Sequence, residues 1–405
     1  MGSRTAIVVG GSLGGLFAAN MLHRAGWTVR VLERSGAALA GRGAGIVTHP
    51  ELLECLRLAG VAVDDGIGVK VPGRVTLDRG GRIQLQSDLP QTLTAWGRLY
   101  HLLKAALPAE LYRFDAGVKS VEQDGSGVTA VLADGRRETG DLLIGADGVR
   151  STIRALLCPE ARPVYAGYIA WRGLVDEAAL SSETHAALFE RFAFCLPPGE
   201  QMLGYPIAGE NDLVMPGQRR FNFVWYRPAD ETNSLRDLLT DDAGCFHGEG
   251  IPPGLIRSDV RAAMLQAAED VLAPQFTEVV RKSRQPFFQP IFDLESPRIA
   301  FGRVALLGDA AFVARPHCGM GVTKAGADAL ALIRALAAHP ASVAEAVSAY
   351  DRKRAAFGRF IVGHARHLGA YMQAQQKSDA ERRMAERYRT PEAVMRETAV
   401  PPPAP

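Results

Sequence analysis

The stretch Asp141-Leu-Leu-Ile-Gly-Ala-Asp-Gly-Val-Arg-Ser-Thr-Ile-Arg154 decides the fold. Its short apolar run, Leu142, Leu143 and Ile144, ends in Ala146-Asp147-Gly148 and gives way to a helical pattern, so it reads as a buried strand, a tight turn and a helix. Two other segments share this layout. Thr5-Ala-Ile-Val-Val9 leads into Gly10-Gly-Ser-Leu-Gly-Gly15 and a small-residue helical run over 16–25, and Gly302-Arg-Val-Ala-Leu-Leu-Gly308 leads into Asp309-Ala-Ala311. At the turn over Leu13 to Gly15 a helix amino terminus offers unpaired N–H groups and a positive dipole end, which suits phosphate.

The first of these segments belongs to a βαβ unit. Thr28-Val-Arg-Val-Leu32 is its second strand, closed by Glu33 and Arg34; the acid falls about twenty residues beyond the loop, where a carboxylate binds a ribose hydroxyl pair. The glycine fingerprint departs from G-x-G-x-x-G at Ser12, a small residue whose hydroxyl can donate to a phosphate oxygen.

The composition fits a small-molecule enzyme. At 405 residues the chain has room for roughly two or three domains, and 47% hydrophobic residues supply a core. Lys and Arg total 46 against 44 Asp and Glu, so no global field favours nucleic acid or an acidic membrane. The cysteines Cys55, Cys158, Cys195, Cys245 and Cys318 have no paired short spacing, which argues against a disulfide framework or a metal site and for a reducing, cytoplasmic compartment. The apolar run over 6–22 is broken by glycines and reads as strand, turn and helix, not as a secretion signal.

With Gly10 to Gly15, Asp147-Gly148 and Gly308-Asp309 in this order, the chain resembles the single-component (class A) FAD-dependent aromatic hydroxylases, whose three FAD motifs these are. The resemblance implies an α/β fold: a Rossmann-like FAD-binding domain of the para-hydroxybenzoate-hydroxylase type, an inserted β-sheet substrate domain and C-terminal helices. It implies tight, noncovalent FAD, held by Gly10, Ser12, Leu13, Gly15, Glu33, Arg34, Arg98, Asp147, Asp309, Pro316, Gly319 and Gly321. Asp328 also falls where the family has an acid. The chain departs from the family at Phe312, where a histidine is common, at Thr323, where asparagine is usual, and at His101, where a leucine follows the arginine. Trp171-Arg-Gly173 resembles a motif of hydroxylases of small hydroxylated aromatics, and Gly45-Ile-Val-Thr-His49 with Arg315-Pro-His317 resembles the branch acting on hydroxypyridine-like rings; Trp171 and Arg172 themselves read as structural sooner than as substrate contacts.

Apolar periods and turn signals divide the chain further. Residues 1–70, 96–160 and 285–340 form the expected discontinuous FAD domain, and 71–95 with 161–284 the β-rich substrate domain over the flavin ring. Residues 41–46 read as a glycine-rich loop, 341–389 as C-terminal helices, and 390–405, ending Pro-Pro-Pro-Ala-Pro, as a disordered tail.

The implied reaction hydroxylates an electron-rich aromatic or N-heteroaromatic ring with O2 and NADH or NADPH, oxygen being activated as the flavin C4a-hydroperoxide. Only one dinucleotide fingerprint is present and FAD takes it, so NAD(P)H docks transiently; a homodimer is possible. The protein must then bind the ring, exclude water and help remove a hydroxyl proton, a task that suits histidine or tyrosine. The candidates are His317 first, then His49 and Tyr205, with Tyr226 and Arg315 as further substrate contacts, Arg315 pairing with an oxyanion. A flavin halogenase would carry Trp-x-Trp-x-Ile, absent here; an isoprenoid reductase or a non-enzymatic flavoprotein redox module are the other readings of the same scaffold.

Overall fold

The computed structural model describes residues 4–39, 45–372 and 378–402. The glycine-rich loop expected over 41–46 lies outside these residues through position 44.

The three strand-turn segments meet in one six-stranded sheet. Thr5–Val9 is central, paired in parallel with Leu142–Gly145 on one side and Thr28–Leu32 on the other, and Val304–Leu306 extends the parallel array beyond Leu142–Gly145. Ile7, Val8, Leu142, Leu143 and Ile144 are completely buried, and withdrawing each such side chain from water contributes roughly 1.5–3 kcal/mol. Both faces of these strands are covered, which is why they read as unbroken apolar runs. One face carries Leu13–Arg24, packed against Gly321–Ala338. These four strands therefore end on one edge, and each ends in a predicted motif; a fifth parallel strand, Tyr112–Arg113, pairs with Thr28–Leu32.

A second, eight-stranded sheet is built mainly from Gly73–Leu77, Ile83–Ser87, Val164–Asp176, Arg191–Cys195, Gln201–Ile207, Arg220–Pro228 and Phe287–Glu295. Trp171, Val175, Phe221 and Phe223 share a core with Val260, Met264, Phe276 and Val279, from the helices Ser258–Val271 and Pro274–Lys282. The alternate residues of these strands point the other way, toward the parallel sheet's carboxyl edge. Phe287–Glu295, expected within the FAD segment 285–340, instead pairs with Val164–Asp176. Likewise only 73–87 of the segment 71–95 joins this sheet; Val69–Val71 and Gln91–Ala95 form a small sheet with Gly45–Val47.

The largest correction is at the C-terminus. Composition predicts disorder over 390–405, yet Pro391–Glu397 is a helix capped by Thr390, and Val394, Met395 and Ala399 are buried. Its anchor is Arg74, fully buried, whose Nη1 donates to the carbonyls of Met395 at 2.5 Å and Thr398 at 2.8 Å. Its Nε and Nη2 donate to Gln91 Oε1, and burial pulls its pKa down to about 9. The composition of the tail hides this because the driving partner lies more than 300 residues away. Residues 403–405 lie outside the described set.

Deleting residues 391–405 should lower the thermal unfolding midpoint, since each buried donor left without an acceptor costs roughly 1–3 kcal/mol. Arg74→Met in the shortened chain should recover part of the loss. An unchanged midpoint on deletion would mean that the segment does not dock.

Candidate functional site

A cavity of about 1640 Å3 lies between the parallel sheet's carboxyl edge and the inner face of the eight-stranded sheet. That exceeds the roughly 300–1,000 Å3 of an ordinary ligand pocket and suits a dinucleotide with a second small molecule.

One wall is the expected nucleotide site. Gly10, Ser12, Leu13, Glu33, Arg34, Asp147, Asp309, Pro316, Gly319 and Gly321 all line it. Gly15 does not; it lets the helix start against the turn, because a Cβ there would stand 1.9 Å from the Gly10 carbonyl oxygen. Ser12 is the N-cap of Leu13–Arg24, and its hydroxyl makes no capping bond, which leaves it free for a phosphate. Glu33 accepts from Gly11 N at 2.8 Å and Ser35 N at 2.8 Å, so its carboxylate is fixed with acceptor capacity to spare for hydroxyls. Asp147 accepts from the Ser151 hydroxyl at 2.5 Å and Ile153 N at 3.2 Å, bracing Ser151 as the N-cap of the helix Thr152–Leu157. Arg154 then donates to the Ala310 carbonyl at 3.1 Å and ties this turn to the Asp309 turn.

Asp309 opens onto the cavity with its carboxylate about half exposed to it, 3.9 Å from the buried Lys324 ammonium. Behind it, Asp328 accepts from Gly308 N at 3.1 Å and from Arg354 Nε at 2.6 Å, which fixes the turn from below. Phe312, standing where the family's histidine is common, is buried against Gly358, whose missing Cβ would lie 2.2 Å from the ring. The departure thus converts a polar position into an apolar anchor for the helix Val343–Leu368. Arg98, expected at the phosphates, is not part of the wall: Nη1 donates to the Asp212 carbonyl at 3.2 Å and lies 3.8 Å from its carboxylate.

The opposite wall is the inner sheet face, with Arg172, Leu203, Tyr205, Asn222, Val224 and Tyr226; Thr398 and Ala399 of the C-terminal segment close one side. Tyr205 and Tyr226 therefore stand where substrate contacts were expected. Burial pushes both phenols up, Tyr226 to about 12, so they stay protonated and act as hydrogen-bond donors rather than as bases.

The other three candidates do not line the cavity. His317 is 1% exposed, packed on Tyr226 with ring centroids 4.2 Å apart and planes tilted by 38°, and bonded through Nε2 to the Tyr168 hydroxyl at 2.9 Å. Burial, with the charges of Arg315 and Arg172, pushes its pKa down to about 3, which makes it a weak base and a support for the tyrosines. His49 is 3% exposed, its Nδ1 2.9 Å from the Thr323 hydroxyl, and burial lowers its pKa also. Thr323, in the asparagine position, thus holds a histidine. Arg315 is not free for a substrate oxyanion. It forms a two-pronged pair with Asp293, 3.0 Å from Nε and 2.8 Å from Nη2, and both are buried.

Sequence reasoning passed over Arg172, Asn222, Thr398 and Ala399 as wall residues. Strand alternation alone separates Arg172 from Trp171, which faces the helices. On the cavity rim near His247, Asp241, Cys245 and His247 bring their donor atoms within 4.8 Å of one another, with His247 Nε2 2.7 Å from Asp241 Oδ2. Among the described residues no helix is long and apolar enough to cross a membrane.

Comparison with known proteins agrees with this geometry. The chain is 32% identical over 337 residues to the 2,6-dihydroxypyridine 3-monooxygenase of Paenarthrobacter nicotinovorans, covering 80% of this chain and 81% of that protein. The chain belongs to the class A flavoprotein hydroxylases. These are FAD-dependent monooxygenases of aromatic and heteroaromatic rings, so the protein is an FAD-binding oxidoreductase. Within the family it is also 30% identical to the FAD-dependent urate hydroxylase of Klebsiella pneumoniae, over 89% of this chain and 88% of that protein. The crystal structure of 2,6-dihydroxypyridine-3-hydroxylase from Arthrobacter nicotinovorans superposes with a TM-score of 0.86 at 27% identity, covering 94% of this chain and 96% of that one. A family model described as FAD binding domain-like matches residues 165–293, the span that supplies much of the eight-stranded sheet.

If Arg315 is structural, Asp293→Asn should cost about 3–5 kcal/mol of unfolding free energy, because it strands a buried guanidinium. Arg315→Met with Asp293→Leu should restore most of that in denaturant titrations. A double variant as unstable as the single one would show that the pair does more than satisfy itself.

Proposed function

We propose that this flavoprotein hydroxylates an electron-rich, hydroxypyridine-like N-heteroaromatic ring with O2 and NADH or NADPH. The observation that carries this reading is a shared cavity, which has phosphate- and ribose-binding groups on one wall and two buried phenols on the other. FAD, when bound, supplies the reducing equivalents and the oxygen activation. In this reading the Ser12 hydroxyl and the free amides of residues 13–15 hold the pyrophosphate. Glu33, with Arg34 beside it, takes the adenosine ribose, Asp309 takes hydroxyls of the ribityl chain, and Asp147 shapes the turn between them.

Gly319 and Gly321 bring the start of the helix Gly321–Ala338 to the cavity, and its positive end favours negative charge on a reduced ring nearby. Tyr205 and Tyr226 donate to the substrate's ring oxygens, with His317 and Tyr168 fixing Tyr226 from behind. His49, through Thr323, supports the same helix. Thr398 and Ala399 limit entry of water on their side. NAD(P)H docks transiently, since the one dinucleotide fingerprint serves FAD. The compartment is cytoplasmic, and a homodimer is compatible with the reading.

The test is a screen of the purified holoprotein with hydroxypyridines, phenols and purines. At least one hydroxypyridine should stimulate NAD(P)H oxidation and gain one oxygen atom from labelled O2. Asp309→Ala should weaken FAD retention by about 1.5–3 kcal/mol, the usual loss for a hydrogen bond to a charged group. NAD(P)H oxidation yielding only hydrogen peroxide with every ring would overturn the assignment.

A further inference from the structure

Resting on that reading, we propose that Arg172 forms an anion subsite, so that the substrate is an acidic ring held as its oxyanion or carboxylate. The strand Val164–Asp176 turns Trp171 and Val175 toward the helices and Arg172 and Leu174 into the cavity. Arg172 is in register with Val224, which is in register with Leu203; two residues along the same face are Asn222, paired with Tyr205, and Tyr226. Arg172, Asn222, Tyr205 and Tyr226 thus surround an apolar floor of Val224 and Leu203.

The polar groups around that floor are donors. Among the described residues Arg172 makes no ion pair, and its Nε, shut off from solvent, has no hydrogen-bond partner. Asn222 accepts from Gly45 N through Oδ1 at 2.9 Å, which turns its Nδ2 outward as a buried donor without a partner. The phenols of Tyr205 and Tyr226 add two O–H groups, and the charge of Arg172 bears on both. Of the arginines nearby, Arg315 is taken by Asp293, Arg74 by carbonyls of the C-terminal segment, and Arg220, farther along the same face, lies 3.9 Å from the Asp176 carboxylate.

A neutral, apolar ligand on this floor would leave the guanidinium desolvated and uncompensated, which is costly. An ionised oxygen or carboxylate satisfies it with charge-assisted bonds and takes the amide and phenol donors as well. The same positive charge favours the ionised form of a bound ring hydroxyl. This supplies what the buried histidines do not, a means of presenting an electron-rich anion without a dedicated base.

The test titrates the FAD-loaded protein with two matched pairs and follows the flavin absorbance: 2,6-dihydroxypyridine against 2,6-dimethoxypyridine, and benzoate against benzamide. Wild type should bind the acidic member of each pair more tightly. Arg172→Gln should weaken the acidic members by about tenfold or more, leave the neutral members nearly unchanged and retain FAD, and Arg172→Lys should recover part of the loss. Equal losses for acidic and neutral members, unchanged affinities, or no binding of any of the four by wild type would overturn the subsite. Arg172-dependent benzoate binding without hydroxylation of any ring would keep the subsite and remove the functional reading. Turnover of hydroxylated rings that Arg172→Gln leaves untouched would do the reverse.

Discussion

The parallel register of Thr5–Val9 between Leu142–Gly145 and Thr28–Leu32 is the constraint on which the rest of the molecule depends. It sets Gly10, Glu33 and Asp147 along one edge, and the pairing of Val304–Leu306 with Leu142–Gly145 adds Asp309 to the same edge. Ligands of open α/β sheets bind beyond the carboxyl ends of the strands, so this register creates the site. Buried side chains then lock it. Arg154 spans the Asp147 and Asp309 turns, and Asp328 with Arg354 supports the latter from behind. A shift of one residue in any of these pairings would move a motif off the edge.

The second wall follows a different logic. Its buried titratable groups are arranged so that few of them can change charge: burial lowers His317 and His49 and raises Tyr205 and Tyr226. A neutral His317 packed behind protonated phenols makes a donor surface preorganised for a ligand rich in acceptors. The chemistry of this family asks little more of the protein, because the cofactor carries the reactive group. Positioning and charge are left to the sheet, and Arg172 is the charge on its inner face without an acidic partner among the described residues.

Much of the first wall was legible in the sequence, because strand, turn and helix signals are local. The β-branched run from Thr5 to Val9, the glycine turn after it and the Glu33 spacing all fall within about thirty residues, the span of one βαβ unit. The second wall was legible only where pattern sufficed. Tyr205 and Tyr226 are recognisable on strands, but Arg172 reads with its neighbour Trp171 as packing, although alternate residues of a strand face opposite ways. Arg315 and His317 mislead for a different reason. Asp293 lies 22 residues before Arg315 and Tyr168 lies 149 before His317, and no local signal announces such partners. The C-terminal segment fails on the same ground: its proline-rich composition suggests disorder, while its docking depends on Arg74.

The central claim is that one cofactor spans the three turns. Hydrogen–deuterium exchange of the protein stripped of flavin, compared with the protein reloaded with FAD, tests it directly. FAD should slow exchange together in residues 10–16, 147–155 and 308–324, with the inner strands 201–207 and 220–228 changing less. Protection confined to residues 10–16, or absent from the segment 308–324, would contradict a cofactor laid along the whole carboxyl edge.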